Sequence, residues 1–176
     1  MAINEASIIR RLADVTKVRE LAKKMPRLLS IIDIDGNPAR ALSLRINIPT
    51  VKNSSYPQNK QDFSEVVIEF PERYPFPPGP SVTFKTPVWN PNIYQSGKWC
   101  YGEWKVTENL ELFVIRLMKV IALDPTIINP KSAANGEAAR WYIKQLTVKP
   151  RLFPTVSLIE VMSEPLKQKI SWNTVK

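Results

Sequence analysis

The chain has 176 residues, a formal net charge of +9, one cysteine and no histidine. Its length predicts one domain, and the missing histidine excludes Ser-His-Asp hydrolases, Cys-His proteases and most zinc catalysts, which all need an imidazole. A lone cysteine cannot form an internal disulfide, the charged start MAINEASIIRRLADV does not resemble a signal peptide, and no apolar run approaches the roughly 18 residues of a membrane span. We therefore expect a cytoplasmic protein that uses no metal, no cofactor and no membrane partner.

Much of the positive charge lies near the two ends of the chain. Residues 1–27 hold seven Lys or Arg against three acids, and residues 144–176 hold six against two. A basic surface can bind nucleic acid by releasing counterions from phosphate. The chain has no Arg/Lys run with interleaved aromatic residues and no nucleic-acid motif, and a basic face for an acidic protein partner explains the charge equally well. A basic nucleic-acid-binding module is therefore the least favoured alternative.

The first predicted element is an amphipathic helix over residues 4–25, with Asn4 as its N-cap. Apolar residues recur at helical spacing along one side: Ile8, Leu12, Val15, Leu21 or Ala22, and Met25. Basic residues cover the opposite side: Arg10, Arg11, Lys17, Arg19, Lys23 and Lys24. This basic side is either a solvated outer face or a docking surface.

Four strands are predicted next, in an antiparallel meander. They lie in the stretches LLSIIDIDG, ALSLRINIP, DFSEVVIEFP and SVTFK. The inward face is predicted from alternating apolar residues: Leu42, Leu44, Ile46, Ile48, Val66, Ile68, Phe70, Val82 and Phe84. The polar segment Thr50 to Gln61 is predicted to be a connecting loop.

The stretch from Trp89 to Trp104, WNPNIYQSGKWCYGEW, contains the single cysteine, Cys100. Asn92 lies eight residues before it, and the proline run YPFPPGPS just upstream denies the chain regular helix. A thiol held near a side-chain amide on a stiff loop predicts a covalent carrier site. The alternative is a buried packing cysteine, which polar or amphipathic neighbours such as Lys98 and Tyr101 disfavour.

Helical spacing returns after the cysteine. The pattern Leu110, Val114, Leu117, Met118 and Ile121 predicts a helix that ends at Asp124-Pro125. A second helix is predicted from about Ser132 to Gln145, with apolar contacts from Ala138, Ala139, Trp141 and Tyr142. The remainder is broken by prolines, but its core VSLIEVM is apolar enough to pack on the domain as strand or helix.

Three ordered motifs in this chain resemble those of the ubiquitin-conjugating enzymes. FPERYPFPPGPSVTF is similar to the family's passage between its third and fourth strands, NPNIYQSGKWC to its His-Pro-Asn motif and catalytic cysteine, and DPTIINP to its loop after the central helix. The resemblance extends over about residues 4–145. It implies an α+β fold with an N-terminal helix, a four-stranded antiparallel meander, an active-site loop and C-terminal helices, within a catalytic domain over 1–146 followed by a packed extension over 147–176.

The resemblance also implies the chemistry of the site. Cys100 would receive a ubiquitin-like modifier as a thioester from an activating enzyme and pass it to an amine, a lysine, of an acceptor protein. Asn92 would either donate to the oxyanion or brace the loop. Tyr94 resembles the tyrosine of the SUMO-conjugating branch and would line the groove for the incoming lysine, and Asn129 falls where the family commonly has an aspartate that positions the amine. Ordinary loop structure is the alternative for Tyr94 and Asn129.

Further implications concern partners and setting. The basic helix resembles the family's docking site for the activating enzyme, which makes Arg10, Arg11 and Lys17 expected contacts. Phe76 occupies a position on the family's surface for RING-type ligases, but the Trp-Ser-Pro-Ala loop that completes this surface is absent, so we do not expect a RING partner. Asn90 replaces the motif's histidine and can bond the turn backbone in its place. These departures favour a bacterial conjugation system, such as one in an antiviral operon, and an inactive modifier-binding variant is the other alternative.

Overall fold

The structure is a computed structural model that describes residues 5–149 and 152–153. The chain begins with helix α1 (Glu5–Lys24) and continues through β1 (Leu29–Asp35), β2 (Ala41–Ile46), β3 (Thr50–Val51), β4 (Lys60–Gln61), β5 (Ser64–Glu69) and β6 (Ser81–Phe84). It then forms α2 (Leu110–Ile121), a short 3-10 helix (Pro130–Ser132) and α3 (Gly136–Val148). The predicted α+β order of helix, strands, long loop and helices is confirmed.

The central sheet has four antiparallel strands in the order β1-β2-β5-β6, which confirms the predicted meander. Because side chains alternate across a strand, the register that places Leu44 opposite Val66 and Leu42 opposite Ile68 directs one set of residues to the core. All nine residues predicted for that face are buried. The predicted loop over residues 50–61 needs a correction, because its ends pair as β3 and β4.

Helix α2 supplies an apolar layer on which the chain around Cys100 packs. Its predicted core residues Leu110, Val114, Leu117, Met118 and Ile121 are all buried, together with Phe113 and Val120. The prediction of this buried face is confirmed, because the helix buries apolar side chains at helical spacing over three turns.

Helix α1 has the predicted extent, but its buried face is not the predicted one. Leu12 is 45% exposed, whereas Arg11 is only 2% exposed. The buried face includes polar residues: Ser7, Arg11, Asp14, Val15, Val18 and Leu21. The prediction that Arg11 lies on a solvated basic side is therefore wrong, and the predicted N-cap Asn4 lies outside the described residues.

The buried polar face of α1 exists because the chain over residues 71–75 offers carbonyl groups without strand or helix partners. Arg11 Nη2 donates to the carbonyls of Pro71 at 2.5 Å and Glu72 at 2.9 Å. The hydroxyl of Tyr74 donates to Asp14 Oδ2 at 2.5 Å, and the Ser7 hydroxyl donates to the Tyr74 carbonyl. Buried carbonyls must be paired, so the helix that covers this passage carries donors.

Helix α3 starts four residues later than predicted, because residues 130–132 form the 3-10 helix and Asn135 caps α3 by accepting from the Ala138 amide at 3.1 Å. Its predicted apolar contacts Ala138, Ala139 and Tyr142 are buried, and Trp141 is half-buried. The expected boundary between residues 146 and 147 falls inside its last turn. Phe153 packs against Tyr142 with 5.3 Å between ring centroids, and the predicted packing of VSLIEVM lies outside the described residues.

No helix over residues 5–149 combines the length and apolar character needed to cross a membrane. Nor do residues 5–149 and 152–153 contain a group of three or more His, Cys, Asp or Glu side chains that could hold a metal ion.

Candidate active site

The active-site segment, residues 89–104, runs along the edge of strand β6. The Phe84 amide donates to the Gly97 carbonyl at 2.9 Å, and the Trp99 amide donates to the Val82 carbonyl at 3.0 Å. Gly97 has φ +83°, and a Cβ at this position would lie 2.9 Å from the Phe84 carbonyl oxygen, so a glycine is required. Backbone hydrogen bonds therefore hold the segment against β6 without a contribution from its polar side chains.

Asn90 anchors the turn at the start of the segment, in the structural role predicted for it. The side chain is 1% exposed. Its Nδ2 donates to the Val120 carbonyl of α2 at 2.7 Å, and its Oδ1 accepts from the Asn92 amide at 2.8 Å. The Pro91 carbonyl accepts from the Ala134 amide at 2.8 Å, just before α3. The turn is thus tied to α2 and to the residues that precede α3.

Cys100 lies near the other end of the segment, and its backbone is bonded to that of Asn92. The Cys100 amide donates to the Asn92 carbonyl at 2.8 Å. The thiol is free and half-buried, whereas the preceding residue Trp99 is 5% exposed. The structure therefore does not support the alternative of a sealed packing cysteine. Among the described residues, the buried Asn92 Oδ1 has no hydrogen-bond partner, so protein contacts do not lock the amide group.

Tyr94 is brought to the thiol by a tight turn. The Tyr94 amide donates to the Lys98 carbonyl and the Gly97 amide donates to the Tyr94 carbonyl, both at 2.8 Å. The ring is 47% exposed. The neighbouring Cys100 side chain raises the pKa of the Tyr94 hydroxyl, so this hydroxyl is protonated at neutral pH. The turn thus places an exposed ring and a proton donor beside the sulfur.

Asn129 has a local structural contact. The side chain is exposed, and its Oδ1 accepts from the Lys131 amide at 3.2 Å, which caps the 3-10 helix that begins at Pro130. This capping bond is the loop role that was left open as the alternative. An additional role for Asn129 in positioning an amine stays a prediction.

Aromatic residues next to Cys100 in the chain pack on α2. Trp99, Tyr101 and Trp104 all pack on Phe113 of α2, with ring centroids 4.8, 4.9 and 5.3 Å from it. Burial raises the pKa of the Tyr101 hydroxyl, which donates to the Pro80 carbonyl at 2.8 Å. The aromatic residues on either side of Cys100 are therefore packing residues that hold the segment on α2.

The sequence motifs did not reveal this ring cluster. Phe113 lies at helical spacing with Leu110 and Leu117, so the pattern could have marked it as buried. No sequence signal connects it to Trp99 or Tyr101, because that contact depends on how the segment folds back over α2.

The predicted docking residues differ in their availability. Arg10 is engaged within the chain, since its Nε pairs with Asp14 at 2.6 Å and its Nη2 donates to the Glu108 carbonyl at 2.6 Å. The structure contradicts the predicted contact role of Arg11, because its guanidinium is buried and burial lowers its pKa. Lys17 is half-buried, and Phe76 is 47% exposed.

Comparisons with known proteins agree with this arrangement. The chain is 30% identical over 95 residues to "Ubiquitin-conjugating enzyme E2 14" of Arabidopsis thaliana, an alignment that covers 44% of this chain and 54% of that protein. It is 30% identical over 89 residues to "Ubiquitin-conjugating enzyme E2" of African swine fever virus (strain Badajoz 1971 Vero-adapted), covering 44% of this chain and 39% of the relative. The chain thus spans about half the length, or less, of these curated relatives.

A solved structure, human ubiquitin-conjugating enzyme E2 G1, is similar with a TM-score of 0.49 and 22% sequence identity over 64% of this chain and 93% of that chain. The family model described as "Ubiquitin-conjugating enzyme" matches residues 12–151. This match covers well over half of the chain and includes the thiol, the turn before it and the helices that hold them. The chain therefore belongs to the ubiquitin-conjugating enzyme family.

Proposed function

We propose that this chain carries a ubiquitin-like modifier as a thioester on Cys100, receives it from an activating enzyme and transfers it to a lysine amine of an acceptor protein. Family membership supports the general class of reaction. The observation that carries the specific assignment is the free, half-buried thiol of Cys100, a residue that lies beside Tyr94 and whose backbone amide is bonded to Asn92.

The proposed reaction has two acyl transfers. In the first, the Cys100 thiolate attacks the thioester carbonyl on the activating enzyme, and the tetrahedral intermediate expels that enzyme's thiolate. In the second, the lysine amine attacks the carbonyl on Cys100, an amide bond forms, Cys100 leaves as thiolate and the amine loses a proton to solvent. Both steps pass through an oxyanion that needs a hydrogen-bond donor.

Asn92 is the proposed donor to this oxyanion. Its side-chain oxygen lacks a partner among the described residues, so the amide is free to turn its Nδ2 towards the thioester carbonyl. Bracing of the loop is the alternative role, but in this chain the described bracing contacts come from the Asn90 side chain and from the Asn92 backbone. This division of labour favours a direct role for the Asn92 side chain.

Tyr94 and Asn129 are proposed to guide the amine. The exposed Tyr94 ring beside the thiol offers an apolar wall that removes water from the approaching lysine. The Asn129 carbonyl oxygen can accept a hydrogen bond from the amine but, being neutral, supplies no charge. Lys17 and Arg10 are proposed to contribute to docking of the activating enzyme, Arg10 only through the part of its side chain that stays exposed, 26%.

Two further aspects remain predictions. A cytoplasmic, bacterial and antiviral setting would be supported by neighbouring genes for an activating enzyme, a ubiquitin-like protein or a deconjugating protease. An inactive modifier-binding variant is the alternative function, and the retained cysteine with its tyrosine and asparagine neighbours disfavours it.

Charging of Cys100 tests the proposal. With ATP and the activating enzyme and modifier from the same genome, we expect wild-type protein to form an adduct that a thiol reductant cleaves. C100A should form none, and C100S should form an oxyester that resists the reductant, because the ester oxygen is a poorer leaving group. The absence of any wild-type adduct with these partners would rule the proposed function out.

A further inference from the structure

Arg116 of α2 lies among the rings that hold the nucleophile's segment. Its Cζ atom is 5.5 Å from the Trp99 ring centroid, 5.8 Å from that of Tyr101 and 5.3 Å from that of Phe113. A guanidinium within about 6 Å of a ring centroid is attracted by the ring's electron density. Two of these three rings belong to the residues immediately before and after Cys100, so one cation contacts both neighbours of the thiol.

Glu108 fixes the other side of this cation. Arg116 Nη2 lies 3.0 Å from Glu108 Oε1, and their side chains are 30% and 19% exposed. Arg10 of α1 in turn donates to the Glu108 carbonyl at 2.6 Å, which holds the backbone of that residue. The Glu108 backbone is therefore held from α1 while its carboxylate pairs with a cation on α2.

The guanidinium has few other contacts to define its position. Among residues 5–149 and 152–153, neither the buried Arg116 Nε nor its Nη2 has a hydrogen-bond partner, so Glu108 holds this cation by charge and not by a hydrogen bond. Its place depends on the three rings and the carboxylate, and in return it contacts the two rings that flank Cys100. The opposing charges of Arg116 and Glu108 also reach the Tyr101 hydroxyl, where Arg116 lowers the pKa and Glu108 raises it against the larger effect of burial.

We propose that Arg116, held by Glu108, is a positioning residue for transfer from Cys100: it sets the orientation of Trp99 and Tyr101 and thereby the direction in which the intervening sulfur presents the thioester. The proposal rests on the proposed function. The Cys100 backbone is already fixed by the Asn92 carbonyl, so the direction of the sulfur is left to the neighbouring side chains, which are those of the ring cluster and of Tyr94.

Attack of an amine on a thioester requires aligned orbitals and a short approach, and displacement by an ångström can cost about 100-fold in rate. Loading, the transfer of the modifier from the activating enzyme to Cys100, is less sensitive to this alignment, because the activating enzyme binds both the modifier and this chain and can adjust its own thioester. A positioning role therefore lowers the rate of discharge, the transfer from Cys100 to the amine, more than the rate of loading. A role in filling the core alone lowers stability without separating the two rates.

The test compares R116M with R116K and with R40M. Methionine keeps most of the side-chain volume without the charge, and lysine keeps the charge without the planar face. Arg40 is a matched control, since it also pairs with a carboxylate, Asp35 at 2.8 Å, but is 73% exposed at the turn between β1 and β2. Discharge is measured to free lysine at saturating concentration on pre-loaded protein, loading is measured separately, and the thermal unfolding midpoint is recorded for every variant.

We expect R116M to slow discharge between about 10- and 100-fold, R116K about threefold and R40M not at all. Discharge by R116M at the wild-type rate, or an equal loss of loading and discharge, overturns the proposal. E108Q is the second variant should R116M not fold, because it leaves the side-chain shape in place and removes only the charge that holds Arg116. It should slow discharge in the same direction.

A second measurement does not need the modifier. Alkylation of Cys100 by iodoacetamide, well below the unfolding midpoint, should be several-fold faster in R116M than in wild type or R40M, because a loosened segment exposes the half-buried thiol. Equal alkylation rates in R116M and R40M contradict the positioning role. This measurement separates the two ideas, since wild-type protein that never loads refutes the proposed function and still leaves the alkylation comparison decisive for Arg116.

Discussion

Helix α1 and the active-site segment both carry polar side chains against the body of the protein, but they use them in opposite ways. In α1, Arg11 and Asp14 are 2% and 1% exposed and are consumed by internal hydrogen bonds. In the segment, Asn90 alone among the motif side chains is consumed in this manner, while the Asn92 amide and the Cys100 thiol lack such anchoring. A polar side chain is thus available for chemistry where the nearby backbone groups do not need it as a hydrogen-bond partner.

The backbone explains the difference. The passage after Phe70 is interrupted by prolines, which donate no hydrogen bond, and its carbonyls at Pro71, Glu72 and Tyr74 accept hydrogen bonds from side chains of α1. The segment instead pairs its own amides and carbonyls with β6 through Gly97 and Trp99. Its side chains are left for reaction because its backbone is already satisfied. Three substitutions test this contrast.

Removal of the Asn92 amide should have the largest effect. We expect N92A to reduce discharge to free lysine by about 100- to 1,000-fold, the usual cost of losing an oxyanion donor, and to reduce loading less. The structure motivates this result because backbone atoms and Asn90, not the Asn92 side chain, make the turn's hydrogen bonds. Single-turnover loading and discharge measure both rates.

N109A is the matched control for this substitution, because Asn109 precedes α2 without a side-chain capping bond. It should leave both rates unchanged. An equal loss of loading and discharge in N92A would mean that the loop collapses, and the contrast with α1 would then disappear because Asn92 too would be a structural residue.

Loss of the Arg11 guanidinium should have the next largest effect, on stability instead of rate. R11M leaves the Glu72 carbonyl without its donor and the Pro71 carbonyl with the Tyr74 amide alone, and we expect a decrease of about 2 kcal/mol in the free energy of unfolding, in the range of a hydrogen bond to a charged group. Urea unfolding measures this change. R19M on the exposed side of α1 is the control and should change stability by less than about 0.5 kcal/mol.

An R11M variant of wild-type stability that loads slowly would reverse the interpretation of α1. It would mean that Arg11 contacts the activating enzyme, a role that its burial now argues against.

The same contrast explains which parts of the structure could be predicted from the sequence. The sheet and α2 bury apolar side chains at regular spacing, so Leu42, Val66 and Leu117 were placed correctly by pattern alone. The motif's spacing placed Cys100 and Asn92 in one short loop, where their backbones are hydrogen-bonded, and the approach of the Asn92 side chain to the thiol stays a prediction. The buried face of α1 was not, since a helical pattern assigns an arginine to solvent unless distant carbonyls need it.

The ring cluster was missed for a related reason. Arg116 and Phe113 belong to α2, whereas Trp99 and Tyr101 belong to the segment around Cys100, and the sequence gives no distance between these parts of the chain. A contact made by folding a loop over a helix has no period and no fixed spacing. Such contacts can be found only in the structure.

The smallest expected effect is that of a charge reversal at Lys17, which tests whether any basic residue of α1 remains for docking. Lys17 is half-buried and belongs to the described residues of α1 for which no ion pair is found, unlike Arg10. Because an interfacial charge at the rim acts mainly on the association rate, K17E should slow loading at limiting activating enzyme by about threefold and leave discharge unchanged. K144E makes the same change on an exposed position of α3 and should not alter loading.

The slower loading of K17E should approach the wild-type rate as salt is raised from 50 to about 500 mM, since charges are screened beyond a few ångströms at the higher concentration. Equal slowing by K17E and K144E would mean that the net charge of the chain, and not α1, attracts the activating enzyme.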